Sequence, residues 1–361
     1  MRAIAVFTNR RELKVVEVPT PTLKNNRDVL VRVREVGICG TDREIGAFHY
    51  GTPAAGRDAL VLGHEALGEV VKVGPSVRSL KRGDLVAMTV RRPCTDDTCH
   101  ACRAGRQDFC VSGHFRERGI KEADGFMTEF IVEDERYLVR LPACLADVGV
   151  LVEPLTIAAK ASVELGAIAR RFPWERVNVR ALVLGAGPIG LLGAMMAISR
   201  NSEAVVYSRE PTDDGRARLL RSIGAEYISA VDVPLDQLPT RGGPFDIIFE
   251  AVGNAQVAFN ALGALAPNGV CILSGVPGGK AAFEIDLNGT MRNIVLQNQM
   301  IFGTVNASRS AFEESVRLLE QFMTIFPDAV RSLITERVSL EDVPQLLREP
   351  GGIKQVVAIA A

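Results

Sequence analysis

Aromatic residues are scarce, at 6% of the 361-residue chain with one Trp, and only four His are present, so a His inside a recognisable pattern carries weight. Charge of one sign is missing too. The 42 Lys and Arg nearly balance 43 Asp and Glu, and the net charge of −1 offers no electrostatic ground for binding nucleic acid or an anionic membrane. A small neutral or anionic ligand fits better. The apolar start Met1-Arg2-Ala3-Ile4-Ala5-Val6-Phe7 turns polar at Thr8-Asn9-Arg10-Arg11, too early for a signal-peptide core, and reads as a first strand. The longest apolar run, Ala181 to Ile198, is interrupted by four glycines and Pro188, so no membrane helix is expected. Seven cysteines are few for a disulfide scaffold of this length, which points to a reducing cytoplasm. Cys144 and Cys271, in apolar surroundings, are expected to act as small hydrophobes. With 47% hydrophobic and 24% charged residues, the composition is that of a globular protein of about two domains rather than a disordered chain.

The rhythm of the chain changes along its length. Up to about residue 140, short β-rich runs such as Asp28-Val29-Leu30-Val31-Arg32-Val33 alternate with Gly, Pro and Asp punctuation, as in a compact β barrel. From Asn178 to Val305, apolar strands (Arg180 to Leu184, Ala204 to Tyr207, Phe245 to Phe249, Val270 to Ser274) alternate with helices, which predicts a doubly wound parallel sheet. Phe312, Val316, Leu319 and Phe322 then recur at helical spacing, and the chain closes on an apolar strand, Gln355 to Ala360. That tail is expected to return to the first domain. The expected domains are therefore 1–177 with 307–361, and 178–306.

Three motifs carry chemistry. Cys39, in Gly37-Ile38-Cys39-Gly40-Thr41-Asp42, and His64 and Glu65, in Gly63-His64-Glu65, offer sulfur, imidazole and carboxylate to one metal ion. A catalytic zinc keeps three protein ligands and an open position; which residue is the third ligand stays open at this level. Cys94, Cys99, Cys102 and Cys110, in a C-x4-C-x2-C-x7-C pattern, match a closed, structural four-thiolate zinc site, with two disulfides or an iron–sulfur cluster as the alternatives. His100 reads as a bystander there. Gly185-Ala186-Gly187-Pro188-Ile189-Gly190 follows a buried-type strand and opens an apolar helix, the context in which a Gly-rich turn brings backbone N–H groups to a pyrophosphate. Ser208 and Arg209 stand at the end of the second strand, where an acid would otherwise hold a ribose hydroxyl. A guanidinium there pairs with a 2′-phosphate, so NADP is favoured, with NAD left open by the adjacent Glu210.

A metal-site β domain, a four-cysteine lobe and a dinucleotide domain, in this order, resemble the zinc-dependent medium-chain alcohol dehydrogenase family over essentially the whole chain. The resemblance implies a GroES-like β-barrel catalytic domain that also receives the C-terminal segment, a Rossmann domain, one catalytic and one structural zinc per chain, and a homodimer or homotetramer. It makes Cys39 and His64 zinc ligands. Further segments are similar to the glucose 1-dehydrogenase branch, which oxidises aldopyranoses at C1 to lactones. Glu153, in Leu151-Val152-Glu153-Pro154-Leu155, stands where alcohol dehydrogenases carry a cysteine ligand and is the implied third ligand, with Glu65 exchanging with it or supporting it. Glu117, in Phe115-Arg116-Glu117-Arg118-Gly119, and Asn306, closing Leu296 to Asn306, map to sugar contacts; a solvated charge and a helix N-cap are their plainer readings. Ser274, Thr304 and Asn306 map near the cofactor, and Thr41 maps to a proton relay, with His49 a weaker candidate to carry the proton outward. Val90, and Gln297 or Asn298, depart from sugar-contacting residues of relatives, so the preferred aldose stays open. The alternatives are a polyol or secondary-alcohol dehydrogenase and, from another class, a nucleotide-binding protein of this fold without catalysis.

Overall fold

The computed structural model describes residues 1–278, 282–349 and 351–359. They form two compact units, Met1–Thr156 with Asn306–Glu320 and Val330–Ala361, and Ile157–Val305 with Gln321–Ala329. The first division falls within the helix Val152–Ala169 rather than at 177/178, where the sequence rhythm changes.

In the first unit the strand Asp28–Gly37 is the spine. Val29, Val31 and Val33 are buried and Arg32 exposed, the period of a half-buried strand. One edge pairs antiparallel with Glu65–Val73. The other edge is shared: Phe130–Asp134 lies beside its first half, and the C-terminal strand Lys354–Ala358 pairs with Glu35 to Gly37. Leu85–Met88, Leu138–Leu141 and Ile334–Val338 complete a seven-stranded sheet. A small separate sheet of Arg91–Arg92, Arg116–Arg118 and Glu122–Ala123 brackets the cysteine-rich loop.

The second unit holds a six-stranded, wholly parallel sheet in the order Glu226–Ser229, Glu203–Ser208, Arg180–Leu184, Phe245–Glu250, Leu265–Leu273, Met300–Gly303. This is the doubly wound dinucleotide-binding order. Leu182, Leu184, Val205, Ile248 and Cys271 pack in its core, so Cys271 behaves as the small hydrophobe expected. Cys144 does not. It is exposed on the tight turn Ala143–Leu145, which turns Leu145 inward instead. No helix among the described residues is long and apolar enough to cross a membrane.

The helix Arg309–Ile325 buries Phe312, Val316, Leu319 and Phe322, as the spacing predicts. Its first two turns are held within the first unit: Arg309 Nη1 donates to the carbonyls of Arg136 and Leu138, at 2.9 and 2.8 Å, and Ser315 Oγ donates to Val152 O at 2.6 Å. Phe312→Ala should therefore cost about 3–5 kcal/mol by the usual range for a buried Phe. Urea unfolding followed by circular dichroism measures it, and a loss under about 1 kcal/mol would contradict full burial.

Candidate active site

The antiparallel pairing of Asp28–Gly37 with Glu65–Val73 sets Gly37 directly opposite Glu65, which brings Cys39 and His64 to the same end of the sheet. Glycine is required on both segments. A Cβ on Gly37 would come within 2.2 Å of Glu65 Oε2, and Gly63 has a φ of +89 with Met127 and Val36 against it. Cys39 caps the helix Gly40–Gly46 in a capping box where Cys and Asp stand for the usual hydroxyl and Glu. Its N–H donates to Asp42 Oδ2 at 2.9 Å.

Asp42 is fully buried, and its other oxygen lies 3.5 Å from His64 Nδ1. Neither of these two atoms has a hydrogen-bond partner, and such orphaned buried groups call for an explanation. An acid behind one imidazole nitrogen leaves the other for a metal, and the pair becomes satisfied when the ring is drawn into place. Burial pushes the His64 imidazole down, but Asp42 and, behind it, Cys39 outweigh it and raise it well above the ordinary value. Cys39, His64 and Glu65 each place a ligand atom within 4.8 Å of the others, a sulfur, nitrogen and oxygen set suited to zinc.

Glu153, the carboxylate favoured from sequence, is outside that group. It is half-buried at the start of the helix Val152–Ala169, and burial together with the Glu65 charge raises it to about 7. Glu65 in turn is gripped from the C-terminal strand. Lys354 Nζ donates to Glu65 Oε2 and to Ile38 O, the latter at 3.0 Å, with both side chains almost fully buried. Thr41 is half-buried in the first turn after Cys39.

The four sulfurs of Cys94, Cys99, Cys102 and Cys110 also lie within 4.8 Å of one another and are free thiols, not disulfides. Backbone N–H groups of Cys102 and Val111 aimed at Cys99 lower its thiol to about 6, whereas burial pushes the Cys102 thiol up to about 12, so only part of the group has thiolate character before a cation joins it. His100 is exposed, with no place in the group. Beside this lobe, Glu117 is buried rather than solvated. Arg91 pairs with it, and Asn306 Nδ2 donates to Glu117 Oε1 at 2.7 Å. Asn306 has a φ of +58, and its Oδ1 accepts from Ala307 N; it is not the cap of Arg309–Ile325.

In the second unit, Gly185 has a φ of +103, Gly187 is the N-cap of the helix Pro188–Ser199, and Pro188 fills its first turn with Ile189. A Cβ on Gly190 would meet Gly185 O at 2.0 Å, so only glycine lets this helix start so close to the strand. Ser208 Oγ accepts from Ala186 N at 3.1 Å and donates to Glu210, pinning the Gly loop to the end of the second strand. Glu210 also pairs with Arg216 at 2.9 Å. Arg209, its side chain 91% exposed, lies 4.0 Å from the same Glu210 carboxylate. Ser274 Oγ donates to Glu250 O, and the buried Thr304 hydroxyl has no partner.

Four residues escaped the sequence reading. Asp42 had a signal, being the third residue of a capping box that starts at the metal-binding cysteine. Lys354 had none, because 289 residues separate it from Glu65. Arg91 is a cross-strand neighbour of Glu117 that only the register exposes. Glu250 accepts from the N–H groups of Val252, Gly253 and Gly275 and so shapes two loops of the nucleotide-binding sheet.

Two family models match: the alcohol dehydrogenase GroES-like domain over residues 25–143 and the glucose dehydrogenase C-terminus over 146–359. The chain is 36% identical to a glucose 1-dehydrogenase of Methanocella arvoryzae over 100% of both sequences. It is 39% identical to one of Metallosphaera sedula over 99% of this chain and 98% of that one. The solved structure of Haloferax mediterranei glucose dehydrogenase in complex with NADP, Zn and gluconolactone superposes with a TM-score of 0.90 at 34% identity, covering 100% of each chain. With matches running from end to end, the chain belongs to the glucose dehydrogenase family of zinc-dependent medium-chain dehydrogenases.

Proposed function

We propose that this protein oxidises an aldose such as glucose at C1 to the aldonolactone, with NADP as acceptor and a catalytic zinc held by Cys39, His64 and a carboxylate. The observation that carries the reading is the sulfur, nitrogen and oxygen group of Cys39, His64 and Glu65, with Asp42 Oδ1 buried and without a hydrogen-bond partner behind His64 Nδ1. The four-cysteine group suits a second, structural zinc.

Zinc, when bound, supplies polarisation of a hydroxyl, and NADP supplies hydride acceptance. The chain's own residues do the rest. Asp42 fixes the tautomer and direction of the His64 ring. Lys354 balances the Glu65 charge, so that Glu65 and Glu153 share the carboxylate role without a surplus of buried negative charge. Thr41, two residues beyond Cys39 in the first turn of the helix Gly40–Gly46, takes up a hydroxyl proton, and His49 is the candidate to carry it outward. Glu117 and Asn306, joined by their hydrogen bond, hold sugar hydroxyls. The Gly185 to Gly190 turn receives the pyrophosphate on N–H groups at the start of the helix Pro188–Ser199. Arg209 pairs with the 2′-phosphate, while Glu210, already engaged by Ser208 and Arg216, is not free to select a bare ribose hydroxyl. Ser274 and Thr304 line the ends of the two strands that close this sheet.

A homo-oligomer fits the exposed apolar residues Leu287, Met291 and Val295 on the helix Leu287–Leu296, which precedes the edge strand Met300–Gly303. The free thiols suit a reducing cytoplasm.

A panel of aldoses and polyols assayed with NADP and NAD tests the activity; turnover of polyols but no aldose would overturn it. Cys39→Ser should lower turnover by more than about 100-fold, the upper range for loss of a residue that merely supports a ligand. Metal analysis should show that variant retaining the four-cysteine zinc alone. Arg209→Ala should raise the KM for NADP about 10- to 100-fold, as expected for a lost charge-assisted hydrogen bond, and leave that for NAD within about twofold. A pH effect follows from the buried site. Glu153, raised from 4.5 to about 7, holds a proton in the folded state that the unfolded chain has lost. Its contribution to stability therefore falls as pH rises through that window, and the raised His64 acts in the same direction. The Tm of chelator-treated protein should drop between pH 5 and pH 7.5 by scanning calorimetry. The rise in Tm on adding zinc should grow over the same range, because the metal displaces those protons.

A further inference from the structure

The small sheet beside the cysteine-rich loop places Arg91 directly across from Glu117. Both side chains are over nine-tenths buried. Arg91 Nε and Nη2 donate to the same oxygen, Glu117 Oε1, at 3.1 and 3.0 Å, and Asn306 Nδ2 donates to it as well. Three donors on one oxygen fix the carboxylate plane and leave Oε2 without a donor among the described residues. Arg91 is itself held on two further sides. Its Nη1 donates to Asp108 O at 3.1 Å, and its guanidinium carbon lies 3.7 Å from the centroid of the Phe115 ring. Gln107 Nε2 donates back to Arg91 O at 3.4 Å. Gln107 and Asp108 belong to the short turn that runs into Cys110, a member of the four-sulfur group.

We propose that Arg91 is a positioning residue for the sugar: it transmits the rigidity of the four-cysteine lobe to Glu117, so that Oε2 stands ready to accept a substrate hydroxyl. The proposal rests on the reading of Glu117 and Asn306 as the sugar-holding pair. On this view the four-cysteine zinc does more than close a loop. It anchors the turn whose Asp108 carbonyl sets the angle of the guanidinium, and the guanidinium sets the carboxylate. Lys cannot replace this geometry, because an ammonium lacks the planar fork that reaches a carboxylate and a carbonyl at once.

The experiment is a double-mutant cycle on the zinc-loaded enzyme with Arg91→Met, Glu117→Gln and both together, plus Arg91→Lys. Glu117→Gln and Arg91→Met should each raise the sugar KM about tenfold or more. The NADP KM and the zinc content should stay at the parent values, and Arg91→Lys should recover part of the loss. Because Arg91 acts through Glu117, the double variant should match Glu117→Gln alone within about twofold. Multiplying effects in the double variant, or parallel rises in the sugar and NADP KM, would show Arg91 to be a general structural residue and overturn the proposal. An unchanged sugar KM in Glu117→Gln would instead sink the underlying reading of Glu117. If Arg91→Met does not accumulate, Arg91→Lys decides: a sugar KM equal to the parent's excludes the role.

Discussion

The buried ion pair between Lys354 and Glu65 is the constraint on which the catalytic half of this protein depends. Cys39, Asp42, Glu65 and Glu153 bring acidic groups into one place with little water, an arrangement that burial alone would forbid. Lys354 offsets part of that charge, and its ammonium also takes the Ile38 carbonyl just ahead of the cysteine. The same residue opens the strand that pairs with Glu35 to Gly37. Sheet closure and charge compensation are thus one event. Breaking such a pair by removing a single partner typically costs about 3–5 kcal/mol, because a lone buried charge remains.

The Rossmann unit solves a related problem with backbone rather than charge. Glu250 ends the central strand Phe245–Glu250, and both its oxygens accept N–H groups from the loops that follow two neighbouring strands. Ser208 does the same on the other side, between the Gly turn and the second strand. The loops at the carboxyl ends of the sheet are held before any nucleotide arrives, which lowers the ordering cost of binding.

Much of this was legible in the sequence. The parallel sheet, the Gly turn and the four-cysteine lobe follow from strand period, glycine spacing and thiol spacing, all of which are local patterns. The helix face of Phe312, Val316, Leu319 and Phe322 was equally plain. What stayed hidden is long-range. Nothing near Lys354 marks it as the partner of Glu65, and the choice between Glu65 and Glu153 depends on which carboxylate the sheet register sets beside Cys39. Cys144 misled because its apolar neighbours are real but its turn points it outward. Glu117 carried two readings, a sugar contact and a solvated charge, and the register that buries it against Arg91 removes the second.

The return of the C-terminal strand has a consequence for how the protein comes into being. Glu65 leaves the ribosome 289 residues ahead of Lys354. Through that interval the nascent barrel carries Glu65 without its Lys354 partner and Asp28–Gly37 without the strand that pairs with Glu35 to Gly37. A chain without Lys354–Ala358 lacks both the pairing of Glu35 to Gly37 and the cation beside Glu65, so one missing strand removes two supports of the site at once.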